Sequence, residues 1–179
     1  MNALLRFSRL IDTLNEKVGL VANWLVLIAC LISAGNAFTR YGLNMSSNAW
    51  LEIQWYLFGG MVMLGASYTL KVNEHVRVDV LYSRYSERTR LWVDLLGGIF
   101  FLMPMAVMIG WLAWPMFWES FRINEVSSNA GGLLRWPVKL LVPVGFVLLS
   151  LQGVSEIIKR FAALHGDIEL HPTYEKPLQ

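Results

Sequence analysis

The stretch 18-VGLVANWLVLIACLISAGNAFT-39 decides the class of fold, because it continues for 22 residues without a charged side chain. A helix that crosses the hydrocarbon core of a bilayer, which is about 30 Å thick, needs roughly 20 mostly apolar residues. Three further stretches meet this requirement and carry charges only near their ends, at 51–72, 91–117 and 137–158. The sequence therefore predicts an all-α integral membrane protein with four transmembrane helices.

The composition supports a membrane protein and argues against other classes. Of the 179 residues, 55% are hydrophobic and only 16% are charged, whereas about 25% are charged in a typical soluble domain. The net charge of +2 is too small, and the basic residues too scattered, to indicate a nucleic acid partner. Cys30 is the only cysteine, so the sequence offers no disulfide within one chain and no cysteine-based zinc site. The first apolar run is longer than the roughly 7–15-residue core of a signal peptide, and we interpret it as a retained helix.

The distribution of Lys and Arg predicts the orientation of the helices. Eleven of the 15 basic residues fall in the N-terminal segment, the connection after the second span and the C-terminal tail, and four fall in the other two connections. Cytoplasmic segments are enriched in Lys and Arg. Both termini are therefore expected in the cytoplasm, with 40–50 and 122–136 in the opposite compartment. Residues 1–165 are expected to form a single domain and 166–179 a mobile cytoplasmic tail.

Two local patterns refine this prediction. Apolar residues recur at three- and four-residue spacing before the first span, opposite a polar face; they are Leu4, Phe7, Leu10, Ile11, Leu14 and Val18. This pattern is typical of an amphipathic helix in the membrane interface, or else of a continuation of the first span by a few turns. In the third span, Pro104 lacks an amide hydrogen and predicts a kink near 97–103.

The sequence lacks the residues that several functions of small membrane proteins require. His75, His165 and His171 lie outside the spans, so axial haem ligands are missing from the membrane. A proton-coupled transporter requires an ionisable group deep in the membrane, and no span carries a charge near its centre. An intramembrane enzyme requires a nucleophile beside a base, and no such arrangement lies at membrane depth. The most polar residues within the spans are interpreted as interhelical hydrogen bonders; they are Asn36, Gln54, Ser67, Ser150 and Gln152. These exclusions favour a protein that serves another membrane protein, with an independent small channel or an enzyme's membrane anchor as the alternative.

The segment 71-KVNEHVRVDVLY-82 contains a cluster of charged residues directly after the second span. His75 with Glu74 and Asp79 suggests a metal site, but a structural zinc ion needs four ligands. A strand beside the bilayer would leave its backbone groups unpaired. We interpret the segment as a cytoplasmic corner on the membrane surface that fixes the topology.

Several short motifs, taken in their order and spacing, resemble the small membrane subunit of tripartite ATP-independent periplasmic (TRAP) transporters, the DctQ-like family. The motifs are 36-NAFTRY-41, 50-WLEIQWYLF-58, 64-LGASY-68, 73-NEHVRVDVLY-82, 94-DLLG-97 and 136-WPVK-139, with Gln152-Gly153 and Ser155-Glu156. The resemblance covers roughly residues 20 to 160. The family usually has two acidic residues in the second-span motif, and here Glu52 is followed by Ile53 and Gln54.

The resemblance implies a non-catalytic subunit in the bacterial inner membrane that supports a large elevator-type membrane subunit. That large subunit is expected to carry the substrate and coupling sodium sites, so this chain is expected to need no cofactor or metal. A periplasmic substrate-binding protein is expected to deliver an organic acid, and membrane lipids complete the expected partners.

Twelve residues are candidates for contacts with partners or for fixing the topology; they are Arg40, Trp50, Glu52, His75, Arg77, Asp79, Glu119, Arg122, Glu125, Arg135, Trp136 and Lys139. Arg40 and Glu52 are expected to approach each other or a partner near the membrane surface. Glu119, Arg122, Glu125 and Arg135 are candidate contacts for the binding protein. Trp136 and Lys139 are expected to hold the start of the fourth span at the lipid headgroups.

Overall fold

The computed structural model describes residues 2–45, 47–74, 82 and 84–168. Its regular elements in these ranges are α1 (Asn2–Gly42), α2 (Asn48–Lys71), α3 (Glu87–Gly97), a π-helical turn (Gly98–Leu102), α4 (Met103–Arg122) and α5 (Trp136–Leu164). The described residues contain no β-strand beyond one isolated antiparallel bridge between Val126 and Leu134. The predicted all-α fold is confirmed. The charged corner with His75, Arg77 and Asp79, and most of the C-terminal tail, lie outside the described residues.

Three helical segments are long and apolar enough to cross a membrane. They are Asn2–Gly42, Glu87–Arg122 and Trp136–Leu164, and they contain the first, third and fourth predicted spans. The most apolar 18 residues of each have mean hydropathies of 2.2, 2.1 and 1.8. The second predicted span coincides with α2, which is not one of the three. Polar residues at its beginning, including Glu52 and Gln54, lower its hydropathy. A crossing by α2, and with it the four-span topology, stays a prediction.

The N-terminal segment and the first span form one uninterrupted helix of 41 residues, about 60 Å long at 1.5 Å per residue. The prediction of a separate interfacial helix is therefore wrong, and the alternative, a continuation of the first span, is correct. The bundle-facing side of its N-terminal half is partly polar and includes Ser8 and Asn15. By contrast, Leu4, Phe7, Leu10 and Leu14 of the predicted apolar stripe are exposed.

A π-helical turn occupies Gly98–Leu102, within the segment where Pro104 predicts a disturbance. Because Pro104 has no amide hydrogen, it cannot bond the carbonyl of residue 100 in the α-helical register. The amide of Met103 instead donates to the carbonyl of Gly98, five residues earlier. Helix α4 then continues through Pro115 to Arg122.

Helix α5 lies at the centre of the bundle and contacts each of the other four helices. Its Gly145 packs against the backbone of α2, where an added Cβ would lie 2.7 Å from the carbonyl oxygen of Met63. Helices α1 and α2 also meet closely, because a Cβ on Gly19 would lie 2.7 Å from the ring of Tyr68. Glycine at both positions permits helix separations that a larger residue would prevent.

Candidate functional site

The loop 123–135 between α4 and α5 is folded back on itself. The amide of Ser127 donates to the carbonyl of Leu133 at 2.9 Å, and the amide of Arg135 donates to the carbonyl of Glu125 at 2.8 Å. Asn124, two residues after the end of α4, adopts a left-handed conformation with φ 47°, which asparagine tolerates better than most residues. We call this end of the bundle, where α2 begins and α4 ends, the loop end.

Glu52 on α2 holds the loop in place. Its side chain is buried, with 4% of the residue exposed. One carboxylate oxygen accepts hydrogen bonds from the hydroxyl of Ser127 and, at 2.6 Å, from the amide of Asn129. The other oxygen accepts from the backbone amide of Leu133 at 2.8 Å. A buried carboxylate with donors on both oxygens is well satisfied, so Glu52 serves as an anchor for the loop.

Glu125 forms a second anchor with the start of α5. The ammonium group of Lys139 donates a hydrogen bond to its carboxylate, and the guanidinium of Arg135 lies 3.5 Å from the other oxygen. The bond from Lys139 holds the pKa of the Glu125 carboxyl below its ordinary value of 4.5, because a donor stabilises the ionised form. Glu125, Arg135 and Lys139 are therefore engaged with one another within the chain.

The remaining predicted residues of the loop end differ in their surroundings. Glu119 and Arg122 pair at 3.0 Å on α4, with 56% and 68% of their side chains exposed. The ring of Trp136 packs edge-on against Phe121, with centroids 5.4 Å apart. Arg40 and Trp50 are exposed. No ion pair joins Arg40 to Glu52 within the described residues, because the carboxylate of Glu52 is bound by the loop.

The opposite end of the bundle, where α1 begins and α5 ends, contains a polar network that we call the terminus network. Asp12 accepts hydrogen bonds from Gln152 at 2.9 Å and from Ser155 at 2.8 Å, and it pairs with Lys159 at 3.2 Å. Asn15 donates to the side-chain oxygen of Gln152 at 2.8 Å. Asn15, Gln152 and Ser155 are fully buried, so polar contacts make up the interface between α1 and α5 here.

Ion pairs extend the terminus network to α2 and α3. Arg160 on α5 binds both Glu156 and, at 3.3 Å, Asp94 on α3. The hydroxyl of Tyr82 donates to the same Asp94 at 3.0 Å. On the other side, Lys71 at the end of α2 pairs with Glu16 of α1 at 2.8 Å. These contacts connect α1, α2, α3 and α5 at one level of the bundle.

Most of this network was not predicted from the sequence. Gln152 does bond between helices, as predicted, whereas Gln54, Ser67 and Ser150 bond carbonyls of their own helices. The signal that would have revealed the network is the matched helical spacing of polar residues on two segments. These residues are Ser8, Asp12, Asn15 and Glu16 on α1, and Gln152, Ser155, Glu156, Lys159 and Arg160 on α5.

Taken together, the fold and its two polar ends define a helical membrane protein whose ion pairs, among the described residues, lie at the two ends of the bundle. A model of the family described as "Tripartite ATP-independent periplasmic transporters, DctQ component" matches residues 29–163, which is most of the chain. The chain belongs to this family, the small membrane component of TRAP transporters, and the resemblance drawn from the motifs is confirmed. No curated protein and no solved structure gives a significant match.

Proposed function

We propose that the chain is the small, non-catalytic subunit of a sodium-coupled TRAP transporter for an organic acid. It supports a large elevator-type membrane subunit, on which the substrate and sodium sites lie. Both termini face the cytoplasm of a bacterium, and the loop end faces the periplasm, where it helps to dock the binding protein. α2 completes the four transmembrane helices.

The observation in favour of a non-catalytic, structural role is that the acidic side chains within the bundle are bound by other groups of the chain. Asp12 and Glu52 are largely buried, and each binds a neighbouring helix or loop. Asp94 is bound by Arg160 in the same way. A sodium or proton site would need carboxylates that can exchange their partners during transport, whereas these hold helices in fixed positions.

Exposure separates two groups among the candidate contacts for the binding protein. Glu125, Arg135 and Lys139 are engaged in holding the loop to α5, so their substitution would change the shape of the loop end. Arg40, Glu119 and Arg122 present their charges at the surface of the same end. We therefore assign the direct contacts with the binding protein to this second, exposed group.

Co-purification tests the proposed subunit role. A tagged chain, expressed with its neighbouring genes and extracted in mild detergent, is expected to bring down a large polytopic membrane protein at a fixed ratio. Recovery of the chain alone, with normal uptake of organic acids in a deletion strain, would contradict the proposal and favour an independent channel or membrane anchor.

Charge reversal tests the docking role. The double variant Glu119→Arg/Arg122→Glu is expected to keep the large subunit but to lose affinity for the binding protein, because the pattern of exposed charge is inverted while the net charge is unchanged. The control is Glu87→Arg/Arg88→Glu, an exposed pair at the other end of the bundle. Equal binding of the protein to both variants and to the wild type would contradict the assignment.

A further inference from the structure

A groove of about 410 Å³ runs along the outer surface between α1 and α2. Its walls are formed mainly by small side chains, which allow another helix to approach closely. The residues that matter here are Gly19, Ala22 and Asn23 from α1, and Gly65, Ala66 and Thr69 from α2. The hydroxyl of Thr69 donates to the carbonyl of Gly65 in its own helix at 3.1 Å, so it needs no further partner.

Asn23 contributes a polar side chain to this groove. Its side chain is exposed, and it makes no hydrogen bond with any residue that the structure describes. The carboxamide carries two donors and an acceptor. In water these groups would be solvated at no cost, so the depth of Asn23 relative to the membrane decides its meaning.

Helix α2 provides the scale for this depth. Glu52 and Lys71 mark its polar ends and are separated by 19 residues, about 28 Å, which matches a hydrocarbon core of about 30 Å. The ion pair of Lys71 with Glu16 sets the same boundary on α1. Asn23 lies seven residues beyond Glu16, about 10 Å inside the boundary. Lipid chains offer no hydrogen bonds there, and an unpaired amide is costly.

Two neighbouring faces of α1 differ in composition. The groove side contains Gly19, Ala22 and Asn23. At a spacing of three and four it continues beyond the groove through Val26 to the small residues Cys30 and Ser33. The neighbouring face consists of bulky apolar residues; they are Leu20, Trp24, Leu27 and Leu31. Interfaces between transmembrane helices are enriched in small and polar residues, whereas bulky apolar side chains suit contact with lipid.

We propose that this groove is the site where a transmembrane helix of the large membrane subunit packs, with a hydrogen-bonding group opposite Asn23. The inference rests on the proposed function and specifies which face of the subunit makes the contact. A lipid chain would fill the groove but leave Asn23 unpaired, and the family's place in a multi-component transporter favours a different subunit over a second copy.

Photo-crosslinking at two adjacent positions tests the proposal. Val26 and Leu27 lie at the same depth of α1 and are similarly exposed, at 42% and 47%, but they belong to the two different faces. A benzophenone amino acid at Val26 is expected to crosslink to the large subunit, and one at Leu27 to lipid. The large subunit crosslinked from Leu27 alone, from both positions or from neither, or a second copy of this chain crosslinked from Val26, would overturn the proposal.

Substitution of Asn23 gives an independent readout. Asn23→Leu is expected to weaken association with the large subunit by about 3-fold, which corresponds to a typical interhelical hydrogen bond of about 0.6 kcal/mol. Asn23→Gln, which keeps the carboxamide, is expected to retain more of the association. The thermal stability of the isolated chain should not fall, because Asn23 has no partner within it. Unchanged association in Asn23→Leu would overturn the proposal, whereas failure of the unmodified chain to recover any large subunit would overturn the proposed function itself.

Discussion

Gln152 at the centre of the terminus network gives the sharpest test of how the bundle is held together. It is fully buried and bonds Asn15, Asp12 and Glu156 through distances of 2.8, 2.9 and 3.0 Å. The variant Gln152→Met keeps the length of the side chain and removes all three bonds.

The expected loss in the free energy of unfolding follows from the hydrogen bonds and ion pairs that each partner of Gln152 retains in the variant. Asp12 still binds Ser155 and Lys159, and Glu156 still binds Lys159 and Arg160. Asn15 loses its side-chain donor bond, and its side-chain oxygen already has no partner among the described residues. A buried donor left unpaired costs about 1–3 kcal/mol. We therefore expect Gln152→Met to lower the free energy of unfolding by about 2 kcal/mol.

A double-mutant cycle isolates this cause. In Asn15→Ala/Gln152→Met no amide is left unpaired, so the double variant should cost about 1 kcal/mol less than the sum of the single variants. Unfolding in mixed detergent micelles, followed by the fluorescence of the eight tryptophans, measures each variant. Ser150→Ala is the control, because its hydroxyl bonds only the carbonyl of Phe146 in its own helix. Additive effects in the cycle, or an effect of Gln152→Met no larger than the control, would refute the reasoning.

Three further predictions concern the loop end and the helix packing. Glu52→Gln should release the loop and increase hydrogen exchange at the amide of Leu133, which bonds the carboxylate; exposed Glu119→Gln is the control, and unchanged exchange would contradict the anchoring role. The contact of Glu125 with Lys139 should contribute fully to the free energy of unfolding above pH 4.5, the ordinary pKa of the carboxyl. This contribution should be lost as the pH falls through the lower pKa of the folded state. Unfolding measured as a function of pH should show the loss in the wild type and not in Glu125→Gln. Gly145→Ala should destabilise the bundle by about 1–3 kcal/mol because the new Cβ meets the backbone of α2; Gly35→Ala, which meets no atom within 4 Å, should not, and equal effects would refute the packing argument.

The interior contacts show why local patterns identified the helices but not their packing faces. In the N-terminal segment the apolar stripe predicted a face toward the membrane interface. The structure leaves Leu10 and Leu14 exposed, and it buries Ile11 of the stripe together with the polar residues Ser8 and Asn15. The contacts that decide this join residues 137 to 147 positions apart. Helical periodicity describes one segment at a time, and it carries no information about the polar groups of a distant helix that satisfy such a face.

The sequence by itself determined the all-helical fold, the three most apolar segments, the disturbed turn before Pro104 and, through its short motifs, the family. These features depend on the length of apolar runs, on the missing amide of proline and on residues close together in the chain. Only the tertiary structure decided that Glu52 anchors the loop 123–135, that Asp12 and Gln152 join α1 to α5, and that Asn23 remains exposed in a groove. Each of these depends on which distant groups fill the hydrogen-bonding capacity of a polar side chain, and that is settled only when the helices have packed.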